Sequence, residues 1–555
     1  MTWDSGTDEV KEYLKAVDDV RTLIKRLESL NPSKKSEKHE LLSKADAVLQ
    51  TSMSRIAEEF KKMLETERLS FRSTEDDGLD DSSRFSFGDG SDDDSFQRES
   101  ITRGSKVNII DLINPQVIPD LKSIASLMFD SNYDKECSQA FISARKDALD
   151  DCLSILAVEN KSIEDVLKME WATLNFKIRR WTKAMKIFVR VYLASEKFLC
   201  EQIFGQNESI IALCFFESSK AFILQLLSFA ETIADGPHQP EKLPKILDMY
   251  EVLVDLTPDI ASFYPDDNGL YLRTEFQDVL TQVADCATST FLEFKNAVGS
   301  NVSNTFPGGG IHHLTRYVMN YIRTLSKYSS SLSCLLKDHG EDQDSSSALD
   351  ASPAFDDENS CLSPMGLHFR SLMSILESNL EEKSMLYKEE ALRHFFLLNN
   401  ILYMVEKVKG SELRTMLGDD WIRKHNSKFQ QYAISYERST WGSVLNELLN
   451  EGLYPFGPSG SISKTLLRIK LQGFYNGFEE IYKSQTGWSV SNSQLREELR
   501  ISMSEKVIPA YRTFIGMFSW YINVKYIKYT ADDLENYLLD LFEGSSRSLN
   551  SSHRK

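Results

Sequence analysis

The side chains most able to bind a metal or attack a substrate are nine histidines and seven cysteines, and their spacing argues against both roles. No histidine sits in an HExxH pattern and no Cys/His group has zinc-ligand spacing. His312 and His313 are adjacent, so on a helix they point about 100° apart and make poor joint ligands. The cysteines at 137, 152, 200, 214, 286, 334 and 361 are scattered and contain no CxxC, which fits thiols buried in a reducing cytosol. Gly308-Gly309-Gly310 precedes a helix start, as in a phosphate cradle, but no Lys-Ser/Thr follows and no strand precedes it. It reads as a flexible link. No GxSxG elbow occurs, and the carboxylates fall on wet helix faces. The expectation is a protein with no catalytic residues, no metal, no cofactor and no small-molecule substrate.

Anion binding is the chemistry that the residues favour. Net charge is −19, which argues against a chain-wide nucleic-acid surface. Two acidic stretches, 71–100 and 339–360, together carry −14 of it. They are rich in Ser and Asp, with serines such as Ser91 as candidate phosphorylation sites, and read as disordered spacers. Residues 461–555 run against the trend, with thirteen bases and ten acids. There Lys525 and Lys528 precede Thr530 and Asp533, a capping-box pattern, and then the apolar face Leu534, Tyr537, Leu538, Leu541, Phe542. Lysines at the positive end of a helix dipole are locally unfavourable. Either an anion such as lipid phosphate relieves the conflict, or the ammonium groups reach into water.

Helices must position these groups. No proline occurs between Pro119 and Pro237 or between Pro364 and Pro455, which leaves room for long helices. Trp171, Leu174, Ile178, Trp181, Met185, Phe188 and Tyr192 form one heptad stripe, and the bases from Lys177 to Arg190 would line its wet face. Leu372, Ile375, Leu376 and Leu380, and Trp421, His425, Phe429, Tyr432 and Tyr436, mark two more amphipathic helices. Ser209–Ala230 is strongly apolar but is interrupted by Glu217-Ser-Ser-Lys220, so a buried helix pair fits better than a membrane span. At the N-terminus, Val10, Val17 and Ile24, then Leu42, Leu49 and Ile56 after the break Asn31-Pro32-Ser33, give a helical hairpin with an open seam. That seam is expected to dock on another chain or on another part of this one, with a small intramolecular bundle as the competing reading. The N-terminus has neither signal-peptide nor transit-peptide character.

Several motifs, in order, resemble the seventy-kilodalton subunit family of the exocyst in its plant branch. They include Tyr133-Asp-Lys-Glu-Cys137, Ser162 to Trp171, Gly308 to Tyr321, Phe478 to Trp488, Leu495 to Ile501, Glu505 to Arg512 and Lys528 to Gly544. The resemblance implies an all-α, elongated rod of stacked antiparallel helical bundles behind an N-terminal coiled-coil hairpin. Mapped on this chain, the hairpin is 1–70, a linker 71–105, sub-bundles 106–235, 236–337, 363–455 and 456–545, an acidic loop 338–362 and a tail 546–555. It also implies a cytoplasmic, peripherally membrane-associated subunit that tethers secretory vesicles to the plasma membrane. Other exocyst subunits, Rho-type small GTPases and anionic phosphoinositides would be its partners. The family's lipid contact maps onto Lys525 and Lys528, with Lys464, Arg468, Lys470, Lys483, Arg496 and Arg500 as weaker candidates. The alternative is a soluble trafficking, autophagy or immune adaptor of the same family with little lipid affinity.

Overall fold

The computed structural model describes residues 7–29, 35–69, 109–156, 169–304, 306–337, 363–450, 453 and 463–545. The two acidic stretches, Ser91, the sub-bundle boundary at 455/456, the tail from 546 and most of the Ser162–Trp171 motif lie outside the described residues. Among the described residues the chain is all helix, and its only strand-like features are two isolated bridges, Arg68 to Ile113 and Ser489 to Glu543. It divides into two compact units, residues 1–287 and 288–555.

In the first unit, α1 (Thr7–Ser29) and α2 (Lys35–Thr66) form the expected hairpin. They pack against α3 (Ile118–Asp130), and α2 runs along α4 (Asp134–Leu156). Arg21 bridges to Asp130 on α3 at 3.1 Å, and Arg68 at the end of α2 holds Asp151 on α4 at 2.8 Å. The seam is therefore covered by later helices of the same chain, so the hairpin docks on another part of this chain.

The heptad stripe becomes α5 (Trp171–Ile187), a π-helical turn at Phe188–Leu193, and α6 (Ala194–Phe204). Six of its seven residues are buried, Trp171 being half-exposed. The π turn inserts one residue into the register, which rotates the buried face. Phe188 and Val189, then Tyr192 and Leu193, all face the core as a result, a widening that the heptad spacing alone does not show.

The apolar 209–230 stretch is one continuous helix, α7 (Glu208–Ala234), not a pair. Serine, glutamate and lysine are ordinary helix formers or tolerable there, and Glu217 simply pairs with Lys220 one turn on, at 2.6 Å. By length and composition α7 could cross a bilayer, but a core helix meets the same test. It packs on α4, on α6 and on α8 (Leu243–Phe263), and its Leu226 carbonyl accepts the Trp181 indole N–H at 2.7 Å. The proline rule also proves too strict. Pro258 lies inside α8 and, in the second unit, Pro509 lies inside a helix. Both are exposed, so water can satisfy the carbonyl that lost its partner.

At the centre of the first unit, Arg145 of α4 clasps both carboxylate oxygens of Glu196 on α6, at 2.8 to 3.1 Å. The side chains are 3% and 0% exposed. Such a pair gives little net stability when intact, because desolvation offsets attraction, but breaking it strands a buried charge.

The second unit begins in α9 (Asp267–Gly299), which carries the chain across the division. It continues through α10 (His313–Leu325), α11 (Ser329–Leu335), α12 (Pro364–Ser384), α13 (Glu390–Lys409) and α14 (Leu413–Asn446). Its last helices are α15 (Lys464–Gln485), α16 (Ser493–Met517) and α17 (Ala531–Leu539). The Gly308–Gly310 run is not a flexible link. Gly308 and Gly309 have φ of 70° and 68°, where a side chain is strained. A Cβ on Gly308 would meet the Gly487 carbonyl at 2.8 Å, and one on Gly309 would meet Leu392 at 2.7 Å. Asn399 donates to the Gly309 carbonyl at 2.8 Å, and the Asn400 side-chain oxygen accepts from the His312 N–H at 2.9 Å and the Thr315 hydroxyl at 2.7 Å. Glycine is there for close packing, and the His312 side chain caps α10, accepting from the Leu314 N–H.

Across α12 and α14, buried Glu377 faces His425 with one oxygen and Lys428 with the other. Burial alone would raise the Glu377 carboxyl, but hydrogen bonds and charge from His425 and Lys428 outweigh it and hold the group below its ordinary 4.5.

Two outcomes follow from these buried charges. Glu196→Gln should lower the stability of the first unit by about 3–5 kcal/mol in urea titration, and Arg145→Met with Glu196→Leu should recover most of it. The Glu377 contribution should be fully present above pH 4.5 and be lost as pH falls through the lower native value. Glu377→Gln, less stable at neutral pH, should then show a flatter acid limb in pH-dependent thermal melts.

Candidate functional site

The C-terminal helices α15, α16 and α17 close on an aromatic core of Phe474, Tyr475, Phe478, Tyr482, Tyr511, Phe514 and Phe518. Between α16 and α17 the chain makes a loop, residues 518–530, which carries the two expected lysines. A relay of hydroxyls anchors its return segment. Tyr511 donates to the Tyr529 carbonyl at 2.6 Å, Tyr475 and Tyr511 share a hydrogen bond at 2.8 Å, and the Tyr475 oxygen accepts the Lys528 amide at 3.1 Å. With Tyr511 spent on Tyr529, Tyr475 is the donor of the pair. Burial, first of all, pushes both phenols up, so they stay protonated and able to donate.

The helix N-terminus does not offer the expected anion site. The capping box at Thr530 and Asp533 is present, with the Asp533 N–H to Thr530 Oγ1 at 3.1 Å and the Thr530 N–H to Asp533 Oδ2 at 2.8 Å. Asp532 and Asp533 in the first turn already answer the dipole. Lys528 is committed too. Its ammonium pairs with Glu479 of α15, which also accepts the Tyr529 hydroxyl at 3.0 Å.

Lys525 stands differently. It is exposed, in the 3-10 turn Val524–Tyr526, and its Nζ lies 5.0 Å from the Tyr526 ring centre. The guanidinium of Arg468, exposed on α15, lies 4.5 Å from the same ring. Lys464, exposed at the first turn of α15, is four residues before Arg468 and so on the same face. Lys525 and Arg468 thus meet at the Tyr526 ring near the start of α15, and Lys464 lies one turn before Arg468 on the same helix.

The remaining candidates are elsewhere. Lys470 is half-buried and donates to the Leu449 carbonyl at 3.2 Å. Lys483 is exposed but lies fifteen residues beyond Arg468 on α15, about 22 Å along the axis. Arg496 is half-buried, 4.0 Å from Glu543. Arg500 is only 7% exposed, bonded to the Leu541 carbonyl and to Glu543 and Glu497, so its charge closes the C-terminal turn and is not on an open surface. Residue type alone cannot separate an arginine that clamps a carbonyl from one that faces solvent. Tyr526, the common platform, escapes the sequence reading, although an aromatic residue between two lysines is a visible signal.

At the N-terminal hairpin, Val17, Ile24 and Ile56 are buried within the first unit and are not available to another chain. Leu42 and Leu49 are half-buried, and the Val10 side chain lies outside the described residues. The open apolar positions are instead Leu23, Leu41 and Val48. Among the described residues no group of three metal-capable side chains converges.

The comparisons with known proteins agree with this architecture. Residues 179–540 match the C-terminal family model of the Exo70 exocyst complex component, and residues 1–66 match the N-terminal one. The chain belongs to the Exo70 family. Exocyst complex component EXO70E2 of Arabidopsis thaliana is 40% identical, covering 100% of this chain and 86% of its own. EXO70B1 of the same plant is 34% identical over 91% of this chain and 80% of its own. A solved structure of S. cerevisiae Exo70p superposes with a TM-score of 0.59 at 16% identity, covering 96% of each chain, which shows the shared fold. The plant branch of the family, the all-α fold and a place among exocyst components are thereby established, and this is a family of complex components rather than a known family of enzymes.

Tyr511→Phe removes the hydroxyl that holds the Tyr529 carbonyl. We expect a loss of about 1–2 kcal/mol in denaturant unfolding, together with faster amide exchange at Lys528.

Proposed function

We propose that this exocyst component tethers secretory vesicles to the plasma membrane, as a cytoplasmic protein peripherally bound to anionic phosphoinositides. The observation that supports it best is the gathering of Arg468 and Lys525 on the Tyr526 ring, at 4.5 and 5.0 Å. Both charges are exposed, and among the described residues neither forms an ion pair with a carboxylate, unlike those of Lys528 and Arg500. The ring is in contact with two like charges, which a multiply charged phosphate headgroup would neutralise. Each base near an anionic surface contributes about 1 kcal/mol, so Lys464, Arg468 and Lys525 supply peripheral, reversible attachment rather than anchoring. Docking of sister exocyst components would fall to the open apolar positions of the hairpin, where Leu23, Leu41 and Val48 are 50%, 55% and 53% exposed. Rho-type small GTPases join the proposed partners on family grounds.

Vesicle flotation of the full chain tests the reading, with and without phosphatidylinositol 4,5-bisphosphate at low and physiological salt. Arg468→Glu with Lys525→Glu should abolish the lipid-dependent fraction, and added salt should weaken wild type. Lys528→Glu is a poor probe, since it also breaks the contact with Glu479. Failure of wild type to float at either salt would overturn the lipid role and favour the soluble adaptor.

A further inference from the structure

The basic group has an apolar neighbour that electrostatic attachment does not require. In the loop beside it Trp520 is 93% exposed and Val524 is 80% exposed. Tyr521, Met517 at the end of α16 and Ile469 beside Arg468 are exposed as well. Large apolar side chains at this exposure carry an unfavourable hydration cost until something covers them, and a concentration of them in one loop marks an interaction surface.

The loop is also well built. Phe518 is fully buried and Ile522 packs on the core, so the loop is pinned from beneath at both ends. The Tyr521 and Ile522 amides donate to the Phe518 carbonyl at 2.9 and 3.0 Å. Asn523 caps the next turn, its side chain accepting from the Lys525 amide at 3.1 Å and its carbonyl from the Tyr526 amide at 2.9 Å. Backbone groups satisfied inside the turn need no water. The turn can therefore enter a less polar medium without leaving those amides unpaired.

We propose that Trp520 and Val524 form a wedge that enters the interfacial layer of an anionic bilayer while Lys525 and Arg468 hold the phosphates. The occupant follows from charge complementarity. The wedge runs directly into Lys525 and Tyr526, the ring that Arg468 also meets, so whatever covers it must be apolar and negatively charged at its rim. An anionic bilayer interface meets both demands, and tryptophan is the side chain best suited to that layer. Apolar insertion adds a term that salt does not screen, which three bases alone lack. This inference rests on the lipid reading above and adds a second mode of contact to it.

The experiment uses the full chain and vesicles of phosphatidylcholine containing phosphatidylinositol 4,5-bisphosphate, with brominated phosphatidylcholine as quencher. Trp520→Ser with Val524→Ser replaces exposed side chains and should fold as wild type, checked by circular dichroism. Its partition should fall by about tenfold or more at every salt concentration, since two largely exposed side chains lose their burial. The steepness of the salt dependence should not change. Brominated lipid should quench wild-type fluorescence, and Trp520→Phe should bind but lose that quenching. Wild-type partition by the double serine variant would overturn the wedge, even where Arg468→Glu with Lys525→Glu still abolishes binding and so preserves the electrostatic reading. Absence of wild-type binding at low salt would overturn both.

Discussion

The hydroxyl relay from Tyr475 through Tyr511 to the Tyr529 carbonyl is the constraint on which the C-terminal surface depends. It joins α15 and α16 inside the aromatic core and fixes the segment that returns to α17. Because Tyr475 also takes the Lys528 amide, the backbone on both sides of that lysine is held. Everything outward of it inherits a position: Tyr526 as a platform, Lys525 and Arg468 upon it, and the Trp520 turn beyond. A charged surface held in this way loses less side-chain and loop entropy on meeting a ligand than a mobile tail would.

The same economy appears in how the molecule uses its charges. Arg145 and Glu196 are enclosed in the first unit, Glu377 is shared between His425 and Lys428, and Arg500 closes the C-terminal turn. These groups join helices. Against them, the bases left open near Tyr526 are few, and so the proposed membrane contact depends on the apolar component of the surface as well.

Much of this is legible in the residues. The heptad from Trp171 to Tyr192, the hairpin and the Thr530 capping box all rest on local periodicity or on contacts three residues apart, which spacing reports directly. Tertiary partners are not legible. Whether a lysine is open or paired depends on a glutamate 49 residues away, as with Lys528 and Glu479. The seam of the hairpin looks open in the sequence because the helices that cover it, α3 and α4, come after an intervening acidic stretch. The glycine run looks flexible because the side chains that pack on it, Leu392, Asn399 and Asn400, belong to a distant helix.

The proposed membrane role requires a preformed C-terminal surface that meets an anionic one. Amide hydrogen exchange of the full chain, with and without vesicles containing phosphatidylinositol 4,5-bisphosphate, addresses that requirement directly. The Tyr521, Ile522, Tyr526 and Lys528 amides should already be protected in solution, and residues 519–526 should gain further protection on vesicles. Rapid exchange at these amides in solution, with no change when vesicles are added, would contradict it.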